Sequence, residues 1–125
     1  MEEVTKIFTW QQAMQTLPLV KKIVHDILKT GQTIRELSME MENPEQDPEV
    51  IRWMDQLDEL LEEIKSLGCY YKDWNFTIGL VDFPSRIFDK DVMLCWRSDE
   101  EAIQYFHDAE TGYASRQPLP KVAIC

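Results

Sequence analysis

With 125 residues, 44% of them hydrophobic, the chain suffices for one apolar core, is too short for two, and is too apolar to stay disordered. A formal net charge of −10 repels phosphate backbones and anionic lipid, so nucleic acid and membrane surfaces are excluded as expected partners. No apolar run approaches the length of a membrane span, and residues 1–20 lack the apolar core of a secretory leader, which leaves the cytoplasm as the expected compartment.

Thr9 followed by Gln12 is a capping-box pattern, in which each residue's side chain satisfies the other's backbone N–H, and it opens a first helix. Apolar residues then fall at Ala13, Leu17, Val20, Val24, Ile27, Ile34 and Met41, widened by Ile23, Leu28 and Leu37, a stripe at helical spacing. Pro18 lacks a backbone donor and predicts a kink or a restart. Gly31 is a weak helix former and a candidate end of a segment. Asn43-Pro44-Glu45-Gln46 reads as a turn, and Asp47-Pro48 as an N-cap followed by proline at the first helical position. Val50, Trp53, Met54, Leu57, Leu60, Leu61, Ile64 and Leu67 follow at helical spacing, and Gly68 terminates the segment. Two amphipathic helices joined by a short turn predict a long antiparallel hairpin, with a stripe suited to a homodimer. Between Glu42 and Glu63 nine acids stand against Arg52 alone, a solvated helix face or a docking face for a basic partner.

Beyond Gly68 the composition turns aromatic and β-branched. Cys69–Lys72 reads as a short strand, and Ile78–Phe88 and Val92–Arg97 as the arms of a β-hairpin around Asp89-Lys90. An even-numbered loop pairing Ile87 with Val92 gathers Val81, Phe83, Ile87, Val92, Leu94 and Trp96 on one face. It puts Asp82, Arg86, Met93, Cys95 and Arg97 on the other, with Asp82 directly across from Arg97. Ser98–Ala109 is open between two readings. Ser98 with Glu101 is a second capping box and favours a helix ending at Gly112; the alternative is a turn and a third strand, Ile103–His107. The fold class is thus α+β, a helical hairpin followed by a small antiparallel sheet of two to three strands. It forms a single domain over residues 1–125, with the hairpin at 9–67, the β-rich part at 69–118 and a short tail at 119–125.

Phosphate-binding loops, dinucleotide fingerprints, nucleophile elbows and HExxH are all absent, and no cofactor is implied. Cys69, Cys95 and Cys125 are odd in number and contain no CxxC pair, so they read as free thiols and spacing supports no metal site. His25, between Val24 and Asp26, reads as a surface residue. His107-Asp108 is the pair best suited to proton transfer, with Asp82 and Cys95 as candidate partners for acid–base work or metal ligation if the sheet brings them together. Against that stands a histidine bonded to backbone and a thiol buried as a small hydrophobe. Asp82, Arg86, Arg97 and Arg116 form a second set, either a structural ion-pair network or an anion pocket. Trp74 and Phe76 lie in an aromatic loop that either contacts a partner protein or covers the end of the helices.

Several ordered segments together carry a family resemblance: Phe8-Thr9 with Ala13 and Leu17-Pro18; Leu67-Gly68-Cys69 with Lys72-Asp73; Gly79-Leu80-Val81-Asp82-Phe83-Pro84; Leu94-Cys95-Trp96-Arg97; and His107, Gly112, Arg116 and Pro118. The chain resembles a largely bacterial family catalogued as domain of unknown function 2203. It departs at Lys90, where the family has a turn glycine, at Ser98-Asp99-Glu100, where it often has Gly-Glu, and in a longer Trp74–Ile78 segment. The resemblance implies a helical hairpin followed by an antiparallel sheet, tips Ile103–His107 toward strand, and implies no activity. Two functions follow. One is an interaction or structural module built on the helices. The other is a small enzyme or ligand- or metal-binding domain using Asp82, Arg86, Cys95, Arg97, His107 and Arg116; the first has the wider support in the sequence.

Overall fold

The computed structural model describes residues 6–124, so Cys125 lies outside the described residues. Helix α1 spans Trp10–Ser38 and α2 spans Pro48–Ser66. They are followed by strands β1 (Tyr70–Tyr71), β2 (Leu80–Ile87), β3 (Lys90–Arg97), β4 (Tyr105–Asp108) and β5 (Gln117–Pro118), and by a last turn of helix, α3 (Lys121–Ile124). The protein is therefore α+β.

Both predicted caps at the helix starts form. Gln12 N–H donates to Thr9 Oγ1 at 3.1 Å while Thr9 N–H donates to Gln12 Oε1 at 3.0 Å. Asp47 Oδ2 accepts from the N–H groups of Glu49 and Val50 at 3.0 Å each. Gly68 follows the Leu67 C-cap with φ +91°, a left-handed conformation that glycine adopts without steric cost. The expected end of a segment at Gly31 and restart at Pro18 do not occur. The helix runs on through Pro18 with no restart, its neighbours Leu17 and Val20 being fully buried. Gly31 sits inside the helix because Phe76 presses on it: a Cβ there would lie 2.4 Å from Phe76 Cγ. The helical stripe stops at Ser38, short of the predicted Met41, and both Met39 and Met41 are exposed.

The five strands form one antiparallel sheet in the order β1-β2-β3-β4-β5. Five strands replace the expected two to three: β1 falls inside the predicted Cys69–Lys72 segment, whereas β5 is two residues long, too short for any periodicity to announce it. Pro118 is tolerated because β5 is an edge strand, where no ladder donor is missed. The helix predicted from Ser98 and Glu101 does not form. Ser98 Oγ instead accepts from Gly79 N–H at 3.0 Å, and Glu100 Oε1, not Glu101, reaches back to Arg97 N–H at 2.8 Å. The chain from Tyr105 to Asp108 is strand, as the family resemblance implied.

The β2–β3 hairpin closes through Phe88 and Asp89, whose φ values of 53° and 62° make the two-residue turn that matches strand twist. Ile87 pairs with Lys90, so the register lies two residues from the predicted Ile87–Val92 pairing. A two-residue shift keeps every side chain on its predicted face but changes its partner. Asp82 consequently opposes Cys95, and Arg97 opposes Leu80, correcting the expected Asp82–Arg97 pair. Val81, Phe83, Ile87, Val92, Leu94 and Trp96 join Ala13, Leu17, Val20, Val24 and Ile27 of α1 in one apolar core. Helix α2 packs on α1 and on β1. The other face of the sheet points away from α1, and it carries the polar residues.

Candidate functional site

Register determines what meets on the helix-free face. Asp82 stands opposite Cys95 across β2–β3, while Met93 pairs with His107 and Cys95 with Tyr105 across β3–β4. His107 is thus diagonal to Cys95, and its ring spans β3 to reach β2. His107 Nε2 lies 3.1 and 3.2 Å from the two carboxylate oxygens of Asp82, and Nδ1 lies 2.8 Å from the backbone carbonyl of Asp108. The donor atoms of Asp82, Cys95 and His107 are all within 4.8 Å of one another. All three residues are buried, with exposures of 4%, 1% and 2%. The sequence pointed to these three as partners only on condition that the sheet united them, and it does.

Arg116 stacks beside this cluster. Its guanidinium makes two parallel bonds to the Glu100 carboxylate at 3.0 and 2.8 Å, and Nη2 also donates to the backbone carbonyl of Cys95 at 3.0 Å. It lies over the Tyr105 ring at 4.1 Å and the Tyr113 ring at 5.0 Å. Fork-to-fork pairing with two aromatic faces is a setting that suits arginine and not lysine. Glu100, Tyr105 and Tyr113 were not singled out from the sequence. The readable signal was Glu100 three residues beyond Arg97, the spacing at which a side chain returns to a turn's backbone.

The remaining candidates disperse. Arg97 pairs with Asp99 at 2.6 Å and donates to the Tyr113 hydroxyl, at the rim of the Arg116 stack. Arg86 pairs with Asp91 at 2.9 Å near the hairpin tip, and Asp108 with Lys90 at 3.1 Å, both largely in solvent. Neither side chain belongs to the buried cluster, to which Asp108 contributes only its backbone carbonyl, so no anion pocket of converging arginines forms. Trp74 is 61% exposed, whereas Phe76 is half-buried, stacked on Tyr71 and seated against Gly31. His25 is exposed, as expected.

Electrostatics sharpen the chemistry of the cluster. Burial raises the Asp82 carboxyl above the usual range, and the nearby His107 opposes that rise. Burial pushes the Cys95 thiol up to about 12, and the Asp82 charge adds to the shift. The order of groups also differs from that of an activated nucleophile. In a thiol–imidazole–carboxylate relay the imidazole lies between the other two and takes the thiol proton. Here the carboxylate is in the middle, and both ring nitrogens already face oxygen acceptors. Cys95 is therefore not set up for nucleophilic attack.

On the helical side, α2 buries only Val50, Leu60 and Ile64 fully, against eight fully buried residues in α1. Ile51, Trp53 and Met54 remain exposed at 41%, 36% and 44%. Trp53 borders a groove of about 480 Å³ between α1 and α2, with Lys29, Thr33 and Arg52 also on its walls. No described helix is long and apolar enough to cross a membrane.

A helical layer on one side of a five-stranded antiparallel meander, with a buried polar cluster on the other, defines the class. The family model described as an uncharacterized conserved protein (DUF2203) matches residues 6–119, and the chain belongs to that family. Comparison with curated proteins and with solved structures gave no match.

Proposed function

We propose that the protein is a small interaction module whose α2 surface receives a basic, amphipathic helix of a partner protein. The observation that carries this reading is the incomplete burial of α2: Ile51, Trp53 and Met54 stay at the surface of a helix whose other exposed positions are mostly acidic. Ile51 and Asp55, Met54 and Asp58, and Asp58 and Glu62 are four residues apart and share a helix face, so apolar side chains run directly into carboxylates. A partner presenting leucine-like residues beside lysine or arginine matches both features. The same carboxylates oppose a second copy of this acidic chain, so a homodimer through this face is the competing reading. The nine-residue connection from Met39 to Asp47 and the packing of α1 on α2 support their arrangement as an antiparallel hairpin. Buried, unpaired Cys69 and Cys95 support a reducing, cytoplasmic setting. The enzymatic reading has less support, because the Arg86 and Asp108 side chains lie away from the cluster and neither His107 ring nitrogen is free to take the Cys95 proton.

A fluorescent amphipathic helix of leucine and lysine, titrated into the full chain, tests this reading. Binding is expected to weaken about tenfold, about 1.4 kcal/mol, in Ile51→Asp/Met54→Asp, and similarly in Asp58→Lys/Glu62→Lys. The same charge reversal at Glu36, near the end of α1, and at Glu40, just beyond it, is expected to change it little. Equal losses for α1 and α2 variants would mean charge attraction without a docking face, and a stable dimer that Met54→Asp dissolves would favour the homodimer.

A further inference from the structure

The bonding pattern inside the cluster has a proton problem whose solution names a ligand. The Asp108 carbonyl can only accept, so at 2.8 Å the proton of the His107 ring must sit on Nδ1. In neutral imidazole Nε2 is then an acceptor, yet it lies 3.1 and 3.2 Å from two carboxylate oxygens. Acceptor facing acceptor at that distance is repulsive unless something positive lies between them. Without a ligand that is a single proton, held as imidazolium–carboxylate or as imidazole–carboxylic acid.

We propose that Asp82, Cys95 and His107 bind a divalent transition metal ion of the zinc class, through one Asp82 carboxylate oxygen, Cys95 Sγ and His107 Nε2. Three observations support this independently of the helical face. The donor set is an imidazole nitrogen, a thiol sulfur and a carboxylate oxygen, a mixture that suits zinc, cobalt and their neighbours better than calcium or magnesium. Bond lengths of about 2.0–2.1 Å to a tetrahedral ion separate N and O donors by about 3.3 Å, close to the distances already present. Cys95 Sγ, within 4.8 Å of both, needs a shift of at most about 1 Å to close the third bond. The Nδ1–H bond to a backbone carbonyl is also the orientation that metal-ligating histidines adopt, because it fixes the tautomer with Nε2 free to bind.

Charge balance favours the same ion. A divalent metal with one thiolate, one carboxylate and one neutral imidazole is electrically neutral, the form a buried site tolerates best. The metal-free cluster is neutral too, holding one proton on sulfur and one shared by Asp82 and His107. Binding therefore releases about two protons per ion and leaves the buried charge unchanged. The fourth coordination position of a tetrahedral ion falls to water. Arg116 is not a competitor for the site, since Glu100 neutralises it and it touches Cys95 only through the backbone carbonyl.

The experiment is a cobalt titration of the chelator-stripped full chain, with the ion added to native protein and, separately, during refolding from urea. One equivalent is expected to bind, with the near-ultraviolet charge-transfer absorption of a cobalt–thiolate bond. Calorimetry in two buffers of different ionisation enthalpy is expected to give about two protons released. Cys95→Ala is expected to abolish the absorption and His107→Ala to weaken binding at least about tenfold, while Cys69→Ala, which removes the other buried thiol, leaves both unchanged. Circular dichroism of each variant is the check that it has folded. No saturable binding under either condition overturns the proposal, as does absorption that survives Cys95→Ala or disappears in Cys69→Ala.

Discussion

On the helix-facing side of the sheet Val81, Phe83, Val92, Leu94 and Trp96 are shut away from water by apolar packing against α1. On the other side Asp82, Cys95 and His107 are shut away as completely, although each carries polar atoms. The same strands build both faces, since alternate residues point to opposite sides. The apolar side stores its stability in many weak contacts, so a loss there scales with the volume removed. The polar side depends on partners being matched, so removing one member harms more than removing two.

The largest effect expected is on the apolar face. Phe83→Ala removes a ring that is 0% exposed and meets Phe8 edge-on at 5.3 Å between centroids, and it is expected to cost about 3–5 kcal/mol in urea unfolding. On the polar face His107→Leu strands the Asp82 carboxylate and is expected to cost about 3 kcal/mol in metal-free protein. Adding Asp82→Leu should recover part of that loss, a non-additivity read from a double-mutant cycle. Strictly additive losses would break the contrast between the two faces. The smallest effect lies at the turn that sets their register. Phe88→Gly relieves a φ of 53° in a side chain that is 78% exposed, and the midpoint of unfolding is expected to rise by the equivalent of about 0.5–1 kcal/mol.

That turn also explains how much the sequence disclosed. Alternation along Val81–Ile87 and Val92–Arg97 was enough to sort residues between faces, because face depends only on parity. Partners depend on register, and register hangs on Phe88 and Asp89 taking positive φ, which Phe88 does not advertise as glycine or asparagine would. The meeting of Asp82 with Cys95 was therefore hidden. So was that of His107 with Asp82, which further requires residues 98–104 to form a turn instead of the helix that Ser98 and Glu101 seemed to cap. Of the two capping boxes, only Thr9–Gln12 is real. Ser98 is claimed by Gly79 and Glu100 by Arg116, both tertiary facts, and only the return of Glu100 to Arg97 N–H is local. The helices were legible because their stripes and caps are local. The exposed part of α2 was not, since spacing shows which residues align but not whether anything covers them.

Phe76 seated on Gly31 has a consequence for how the two layers are aligned. Gln32 Nε2 donates to the Phe76 carbonyl at 3.3 Å, and Arg35 bonds the carbonyl of Asn75, so the segment before β2 is fastened to α1 at one notch. Each residue of an α-helix advances about 100° around its axis. An insertion or deletion of a single residue between Thr9 and Gly31 would swing the notch away and drive a Cβ into the ring. The glycine thus works as a keyway that sets the rotational phase of the helix against the sheet. Length changes should be accepted beyond Arg35, toward Ser38, and refused before it.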